Sequence, residues 1–280
     1  TNYFLLVDNK KYILTVYEKR VKPTDLPFFS GLMIGLNEAN FKCPTPIINN
    51  QKKAITDYNN KKMMIVTFLE GKAKQALTPQ NCKLVGIEVA KMHEITKKFN
   101  IERKNDLSIN SWRKLFNLVK GECSKIHHDL PKLIEANLHD VEKNWPKNLP
   151  SGIIHADLFN DNIFFQNDKF NGFIDFYFSC NDYYAFEIAI CFNALCFDGF
   201  QSNLSFNVTK AKNFIDTVIY RGGDAVSAWA YAGLQAIGLG ITAIAFIAIP
   251  MAGIWAMIAL YLGKQHQRLI EARDLEEEGA

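Results

Sequence analysis

Residues 151–165 read SGIIHADLFNDNIFF, and residues 172–176 read GFIDF. An apolar run leads into a loop that carries Asp157 and Asn162, and Asp175 follows thirteen residues after Asn162. The pattern predicts a strand, a loop and a β-hairpin that ends at Asp175. We expect this arrangement to bring three oxygen-bearing side chains to one place.

The three side chains are of the types that phosphoryl transfer requires. Asp157 can accept the proton of a hydroxyl group, while Asn162 and Asp175 offer an amide oxygen and a carboxylate, which are suitable ligands for Mg²⁺. The reaction needs a positioned base and metal ions that neutralise the triphosphate. Any one of these residues alone indicates only a turn or a cap, but the joint spacing H-x-D-x-x-x-x-N followed by I-D-F is typical of a kinase catalytic loop.

Upstream of this segment, the pattern predicts a small strand-rich lobe followed by helices. Residues 3–17 are expected to form a β-hairpin around a polar turn, residues 28–40 a helix, and residues 63–68 an apolar, β-branched strand. Further helices are predicted over residues 83–99, 111–126, 132–144 and 183–197. Strands first and helices afterwards predict an α+β fold with two lobes.

Composition and charge exclude several classes of protein. Hydrophobic residues make up 48% of the chain and charged residues 22%, which excludes a disordered or collagen-like chain. The formal net charge of +3 is too small to indicate nucleic-acid binding. The six cysteines lack the spacing of metal ligands or of a disulfide scaffold, so we expect reduced, mostly buried thiols in a cytosolic setting.

Residues 1 to about 216 resemble the homoserine kinase family, a branch of the aminoglycoside-phosphotransferase-like, protein-kinase-like fold. The segments that carry the resemblance are HADLFNDNIFF (155–165), GFIDFYFSC (172–180), NDYYAFEIAICFN (181–193), TNYFLLVDNKKYILTVYE (1–18), CPTPI (43–47) and GIEVAKMH (86–93). The resemblance implies a two-lobed α+β kinase fold. It also implies phosphorylation of the side-chain hydroxyl of homoserine, with ATP and Mg²⁺ as cofactors, as a step toward threonine.

The resemblance implies roles for individual residues as well. Asp157 resembles the catalytic base, and Asn162 and Asp175 resemble the Mg²⁺ ligands. His155 resembles a residue that supports the loop rather than one that reacts. The hinge that contacts adenine is expected at Thr67, Phe68, Leu69 and Glu70.

Some features depart from the family or leave alternatives open. Asp182 either faces the amine of the substrate or caps the helix that follows it. Glu187 lies in an otherwise apolar helix, where a buried carboxylate needs a partner. Thr15 stands about where protein kinases have a lysine on the third strand. The resemblance implies that this branch commonly lacks that lysine. The family's first strand and phosphate-covering loop are expected to precede Thr1, and its last helices to be missing, so we expect a kinase fold that is incomplete at both ends.

Residues 217–280 differ in composition from the rest of the chain. No charged residue occurs between Ala225 and Gly263, a run of 39, whereas a bilayer core needs about 20 apolar residues. We predict a transmembrane helix over residues 239–263, followed by basic residues that place the C-terminus in the cytosol. From about residue 210 the chain resembles the C-terminal membrane helices of a major-facilitator-type nucleotide transporter. The alternative is a buried helical hairpin of a soluble domain.

The leading hypothesis is therefore a homoserine kinase whose kinase portion is cytoplasmic. Its domains are a β-rich ATP-binding lobe over residues 1–70, a helical catalytic lobe over 71–216 and a membrane-inserted tail over 217–280. Its expected partners are homoserine and, through the tail, a membrane. Two alternatives stay open: a kinase of the same fold that acts on choline, an aminoglycoside or a thio-sugar, and a non-catalytic, membrane-tethered fragment that joins pieces of two genes.

Overall fold

The structure is a computed structural model that describes residues 1–18, 21–145, 147–199 and 205–221. Within them the chain forms two compact units, one made of residues 1–105 and 149–221 and the other of residues 106–148. None of the helices in this part of the chain is long and apolar enough to cross a membrane. The transmembrane helix predicted over residues 239–263 lies outside the described residues.

The first unit begins with a four-stranded antiparallel sheet in the order β1-β2-β4-β3. The strands are β1 (Asn2–Val7), β2 (Lys10–Tyr17), β3 (Ile55–Tyr58) and β4 (Lys61–Thr67). Asp8 and Asn9, which connect β1 and β2, both have positive φ angles, of 48° and 60°. Two such residues form the tight turn that matches the twist of paired strands. The predicted hairpin and the predicted strand near residue 65 are confirmed, whereas β3 was missed.

Helix α1 (Leu26–Glu38) follows the hairpin and buries an apolar face. It begins two residues before the predicted start because Pro27 lies in its first turn, where the fixed φ of proline suits a helix. On β2, Thr15 and Tyr17 are both buried, and on β4 so are Met64 and Val66. Since alternate residues of a strand share a face, these positions form the inner face of the sheet.

The rest of the first unit consists of helices and short strands. The helices are α2 (Pro79–Thr96), α5 (Tyr184–Leu195) and α6 (Val208–Arg221). The strands are β5 (Lys72–Ala73), β6 (Ser151–Ile154), β7 (Ile163–Gln166), β8 (Lys169–Phe173), β9 (Cys180–Tyr183), β10 (Phe197–Asp198) and β11 (Ser205–Phe206). They pair as β5-β7-β8, β6-β9 and β10-β11. The predicted strand, loop and hairpin around the catalytic segment are confirmed as β6, β7 and β8.

Helix α2 starts at Pro79, four residues before its predicted start. Thr78 caps it: its hydroxyl accepts a hydrogen bond from Asn81 N at 3.1 Å, and Asn81 Oδ1 accepts one from Thr78 N at 3.1 Å. This reciprocal cap satisfies two backbone groups that a helix end otherwise leaves without a partner. The predicted start was wrong because it was placed at the first residue of the apolar stripe, whereas the helix begins at the Thr78 cap that precedes the stripe.

Helix α6 packs closely on α2. A Cβ atom at Gly86 would lie 2.5 Å from the carbonyl oxygen of Phe214, so only glycine allows this approach. The hydroxyl of Thr217 also lies against α2, with its oxygen 3.2 Å from the carbonyl oxygen of Lys83. One face of α6, with Ala211, Phe214 and Ile215, is therefore part of the packed core of the first unit.

The second unit contains helices α3 (Ile109–Ile126) and α4 (Leu130–Asn144), as the sequence predicts. Trp112 packs edge-to-face on Trp145, with ring centroids 5.2 Å apart. Arg113 on α3 forms ion pairs with two glutamates of α4, Glu135 and Glu142. All six cysteines of the chain are free and buried, as expected.

Candidate active site

His155 connects the loop after β6 to the end of β8. Its side chain is fully buried, and its Nε2 lies 2.9 Å from the carbonyl oxygen of Ile174. Burial lowers the pKa of His155, an effect that the carboxylate of Glu187 opposes. A neutral ring that faces a carbonyl oxygen must carry its proton on Nε2 and donate it. The imidazole therefore holds two loops together instead of facing a substrate.

Glu187 of α5 binds the backbone of the same loop. Its side chain is fully buried; one carboxylate oxygen accepts from Ala156 N at 3.1 Å and the other from His155 N. Ala156 has φ 63°, a left-handed conformation that is costly for alanine and needs support from its surroundings. Sequence reasoning expected a partner for Glu187 but did not identify these N–H groups, which form charge-assisted hydrogen bonds with the carboxylate.

Asp157 and Asn162 contact each other directly. The side-chain nitrogen of Asn162 donates to Asp157 Oδ2 at 2.9 Å and to the carbonyl oxygen of Asp157 at 2.7 Å. Asn162 is buried at the end of a short 3-10 turn, Asn160–Asn162, and Asp157 is half-buried. Because both bonds use the amide nitrogen, a metal ion would be bound by the other end of the amide, its oxygen.

Asp175 is brought to the same end of the β7–β8 hairpin. Ile163 pairs with Phe173, and the backbone N–H of Ile174 donates to the carbonyl oxygen of Asn162 at 3.0 Å. Asp175 itself is exposed and left-handed, with φ 60° and ψ 59°. The structure thus brings all three predicted residues to one end of the hairpin, with Asp157 touching Asn162 and Asp175 following the strand beside it.

The donor set suits a metal ion that is shared with a substrate. Within the described residues, no group of three or more His, Cys, Asp and Glu side chains could hold a metal. Asn162 and Asp175 would supply one amide oxygen and one carboxylate. Mg²⁺ is commonly held by one or two carboxylates together with phosphate oxygens and water, and seldom by an all-protein cage. The residues present fit such an ion.

The predicted hinge begins at Thr67, the last residue of β4. Thr67 N donates to the carbonyl oxygen of Thr45 at 2.9 Å, and Thr45 N donates to the hydroxyl of Thr67 at 2.9 Å. Phe68 N donates to the carbonyl oxygen of Lys11 at 3.2 Å, and the Lys11 ammonium binds the Glu70 carboxylate at 2.8 Å. The segment is therefore hydrogen-bonded to β2. An adenine ring placed here would have to bind the backbone groups of the segment that these bonds do not use, such as those of Leu69.

Asp182 lies on β9 and not at the start of α5. Helix α5 has Tyr183 as its N-cap, so the interpretation of Asp182 as the cap is wrong by one residue. Its two carboxylate oxygens accept hydrogen bonds of 2.7 Å, from Tyr183 N and from the side-chain nitrogen of Asn105. Contact with a substrate amine stays a prediction.

Comparison with known proteins identifies the family. The model of the phosphotransferase enzyme family matches residues 1–206. The chain belongs to this family. Among curated relatives, the homoserine kinase of Mesorhizobium japonicum is 42% identical over 212 residues, which is 76% of this chain and 65% of that protein. The homoserine kinase of Paramagnetospirillum magneticum is 44% identical over 218 residues, 76% of this chain and 66% of that protein. The chain thus spans just under two thirds of the length of these two relatives.

Solved structures establish the fold of this phosphotransferase family member. Amicoumacin kinase hAmiN, in complex with AMP-PNP and Ca²⁺, matches with a TM-score of 0.65 at 13% identity and covers 94% of this chain and 78% of that one. Choline kinase LicA from Streptococcus pneumoniae matches with a TM-score of 0.60 at 14% identity, covering 94% and 82%. The predicted kinase-like α+β fold is confirmed.

The predicted resemblance of the tail to a transporter is not supported by any of these comparisons. The described part of that segment, residues 210–221, belongs to α6. It packs on α2, and its residues Ala211, Phe214 and Val218 are buried in the first unit.

Proposed function

We propose that the protein transfers the γ-phosphoryl group of ATP to a small-molecule hydroxyl, and that the acceptor is homoserine. The observation that carries the proposal is the bond of 2.9 Å between Asn162 and the Asp157 carboxylate, at the end of the hairpin that continues into Asp175. The choice of acceptor is supported by the 40–44% identity to homoserine kinases over about three quarters of the chain.

In this proposal Asp157 accepts the proton of the homoserine hydroxyl and orients its oxygen toward the γ-phosphorus. An O–P bond forms at that oxygen, the bond to the β-phosphate oxygen breaks, and the proton stays on the Asp157 carboxylate. Asn162 helps by fixing the carboxylate, because its amide nitrogen donates to Asp157 Oδ2. Asn162 and Asp175 would hold Mg²⁺, which when bound neutralises the charge of the β- and γ-phosphates.

The remaining predicted residues take supporting roles. His155 and Glu187 fix the backbone on which Asp157 stands. Residues Thr67–Glu70 would receive adenine. Asp182 would bind the ammonium group of homoserine, since its carboxylate is already oriented by the side chain of Asn105 and by the backbone N–H of Tyr183.

Phosphoryl transfer from γ-labelled ATP to homoserine, measured with the full chain and Mg²⁺, tests the proposal. We expect label in phosphohomoserine, little with choline or an aminoglycoside, and at least about 10²-fold slower labelling with Asp157→Asn. Equal transfer to choline would overturn the choice of acceptor. No transfer to any hydroxyl compound from a folded chain would favour the non-catalytic alternative.

A further inference from the structure

Two hydroxyl-bearing side chains lie buried on β2, Thr15 and Tyr17. Thr15 and Tyr17 are two residues apart, so they share the inner face of the sheet, and each is only 6% exposed. A buried hydroxyl group is costly without a hydrogen-bond partner. The hydroxyl of Tyr17 has such a partner in a distant part of the chain.

That partner is Tyr177, which stands two residues after Asp175. Tyr17 Oη donates to Tyr177 Oη at 2.7 Å. The two tyrosine rings also meet edge-to-face with centroids 5.3 Å apart. Phe29 of α1 packs on the Tyr177 ring at 5.7 Å. Tyr177 is thus the point where β2 and α1 contact the turn that follows Asp175.

The backbone on both sides of the exposed Asp175 is consequently held by contacts with other parts of the chain. On the N-terminal side, Ile174 is bonded to Asn162 and to His155. On the C-terminal side, the short 3-10 turn Phe176–Phe178 contains Tyr177. A left-handed residue such as Asp175 keeps its conformation only when its neighbours impose it.

We propose that Tyr177 is a positioning residue for Asp175: through its hydrogen bond to Tyr17 it fixes the turn and aims the Asp175 carboxylate at the metal–nucleotide. The inference rests on the proposed function and deepens it. Ring packing alone would also hold the turn, and a change from tyrosine to phenylalanine separates the two explanations because it keeps the ring and removes the hydroxyl.

The test compares Tyr177→Phe, Tyr17→Phe and the double variant with the wild type, using calorimetric titration with AMP-PNP in the presence and absence of Mg²⁺. We expect Tyr177→Phe to weaken binding of Mg²⁺–AMP-PNP about five- to tenfold, while metal-free AMP-PNP changes less than twofold. Tyr184→Phe is the matched control, since Tyr184 is also buried but lies on α5. It should leave both affinities unchanged.

The hydrogen bond between Tyr17 and Tyr177 leads to a second expectation. The double variant should bind Mg²⁺–AMP-PNP no more weakly than Tyr177→Phe alone, because both changes remove the same bond. Thermal unfolding without ligand shows which variants are folded. If Tyr177→Phe does not fold, the same comparison is made with Tyr17→Phe.

Three results would overturn the inference. Unchanged affinity in folded Tyr177→Phe and Tyr17→Phe would assign the contact to packing. An equal loss with and without Mg²⁺ would show a general structural effect. A wild type that does not bind Mg²⁺–AMP-PNP at all would overturn the proposed function first and this inference with it, which distinguishes the two failures.

Discussion

The loop that carries Asp157 and the turn that carries Asp175 are held in different ways. The loop is anchored from inside by Glu187 and His155, both fully buried. Asp175 is exposed and owes its place to a left-handed backbone and to its neighbours in the chain. In the proposed function the loop carries the base, which must be fixed against its acceptor, and the turn carries a metal ligand, which must stay open to an ion that arrives with the nucleotide.

The largest expected effect comes from the residue on the fixed loop. Asp157→Asn keeps the size of the side chain and can keep the bond to Asn162, but it cannot accept the hydroxyl proton. We expect turnover to fall by about 10²–10⁴-fold, the usual range for loss of a general base. Steady-state phosphorylation of homoserine at saturating ATP checks this, and turnover within threefold of the wild type would refute the role of Asp157.

The next effect tests the exposed turn. Asp175→Asn removes one negative charge without changing shape, so the affinity for Mg²⁺ should fall and turnover at limiting Mg²⁺ should drop about 10²-fold. High Mg²⁺ should restore part of the activity, as it cannot in Asp157→Asn. Rate measured against Mg²⁺ concentration provides the check. A rate that Mg²⁺ does not restore would mean that Asp175 does not act through the metal.

A smaller effect is expected from the anchor below the loop. Glu187→Gln turns one end of the side chain into a donor, which must then face the N–H of Ala156 or His155. Leaving a buried donor without a partner lowers the free energy of unfolding by about 1–3 kcal/mol. Chemical denaturation measures it. The control is Glu94→Gln on α2. The side chain of Glu94 is 42% exposed, so this change should lower the free energy of unfolding by less than about 0.5 kcal/mol. Equal effects would contradict the anchoring role.

The smallest effect concerns pH. Burial lowers the pKa of His155 in the folded protein, so below about pH 6.5 the unfolded chain takes up a proton that the folded protein resists. The contribution to stability is complete above that pH and is lost as the pH falls, by up to about 1.4 kcal/mol per pH unit. His155→Gln should remove this part of the slope between pH 7 and 5, measured by denaturation. His128→Gln should retain it, since that side chain is 93% exposed.

Local features of the fold could be predicted because their causes are local. The Asp8-Asn9 turn, the hairpin after Asn162 and the helices of the second unit follow from turn chemistry and from the spacing of apolar residues. The three candidate site residues lie within nineteen residues of one another, on a single strand, loop and hairpin, so chain connectivity alone places them together.

Features that depend on distant contacts could not be predicted. Glu187 binds N–H groups 31 and 32 residues upstream, and Tyr17 meets Tyr177 across 160 residues. A lone carboxylate in an apolar helix signalled that Glu187 has a partner, but no pattern indicated which one. Backbone conformations such as that of Asp175 leave no signal either, because aspartate only occasionally adopts a left-handed conformation.

The division of labour between loop and turn is tested most directly by titrating AMP-PNP, with and without Mg²⁺, into Asp157→Asn and Asp175→Asn. The wild type should bind more tightly when Mg²⁺ is present. We predict that Asp157→Asn keeps this gain in affinity within twofold and that Asp175→Asn loses most of it. The account would be contradicted if Asp157→Asn lost the gain while Asp175→Asn kept it.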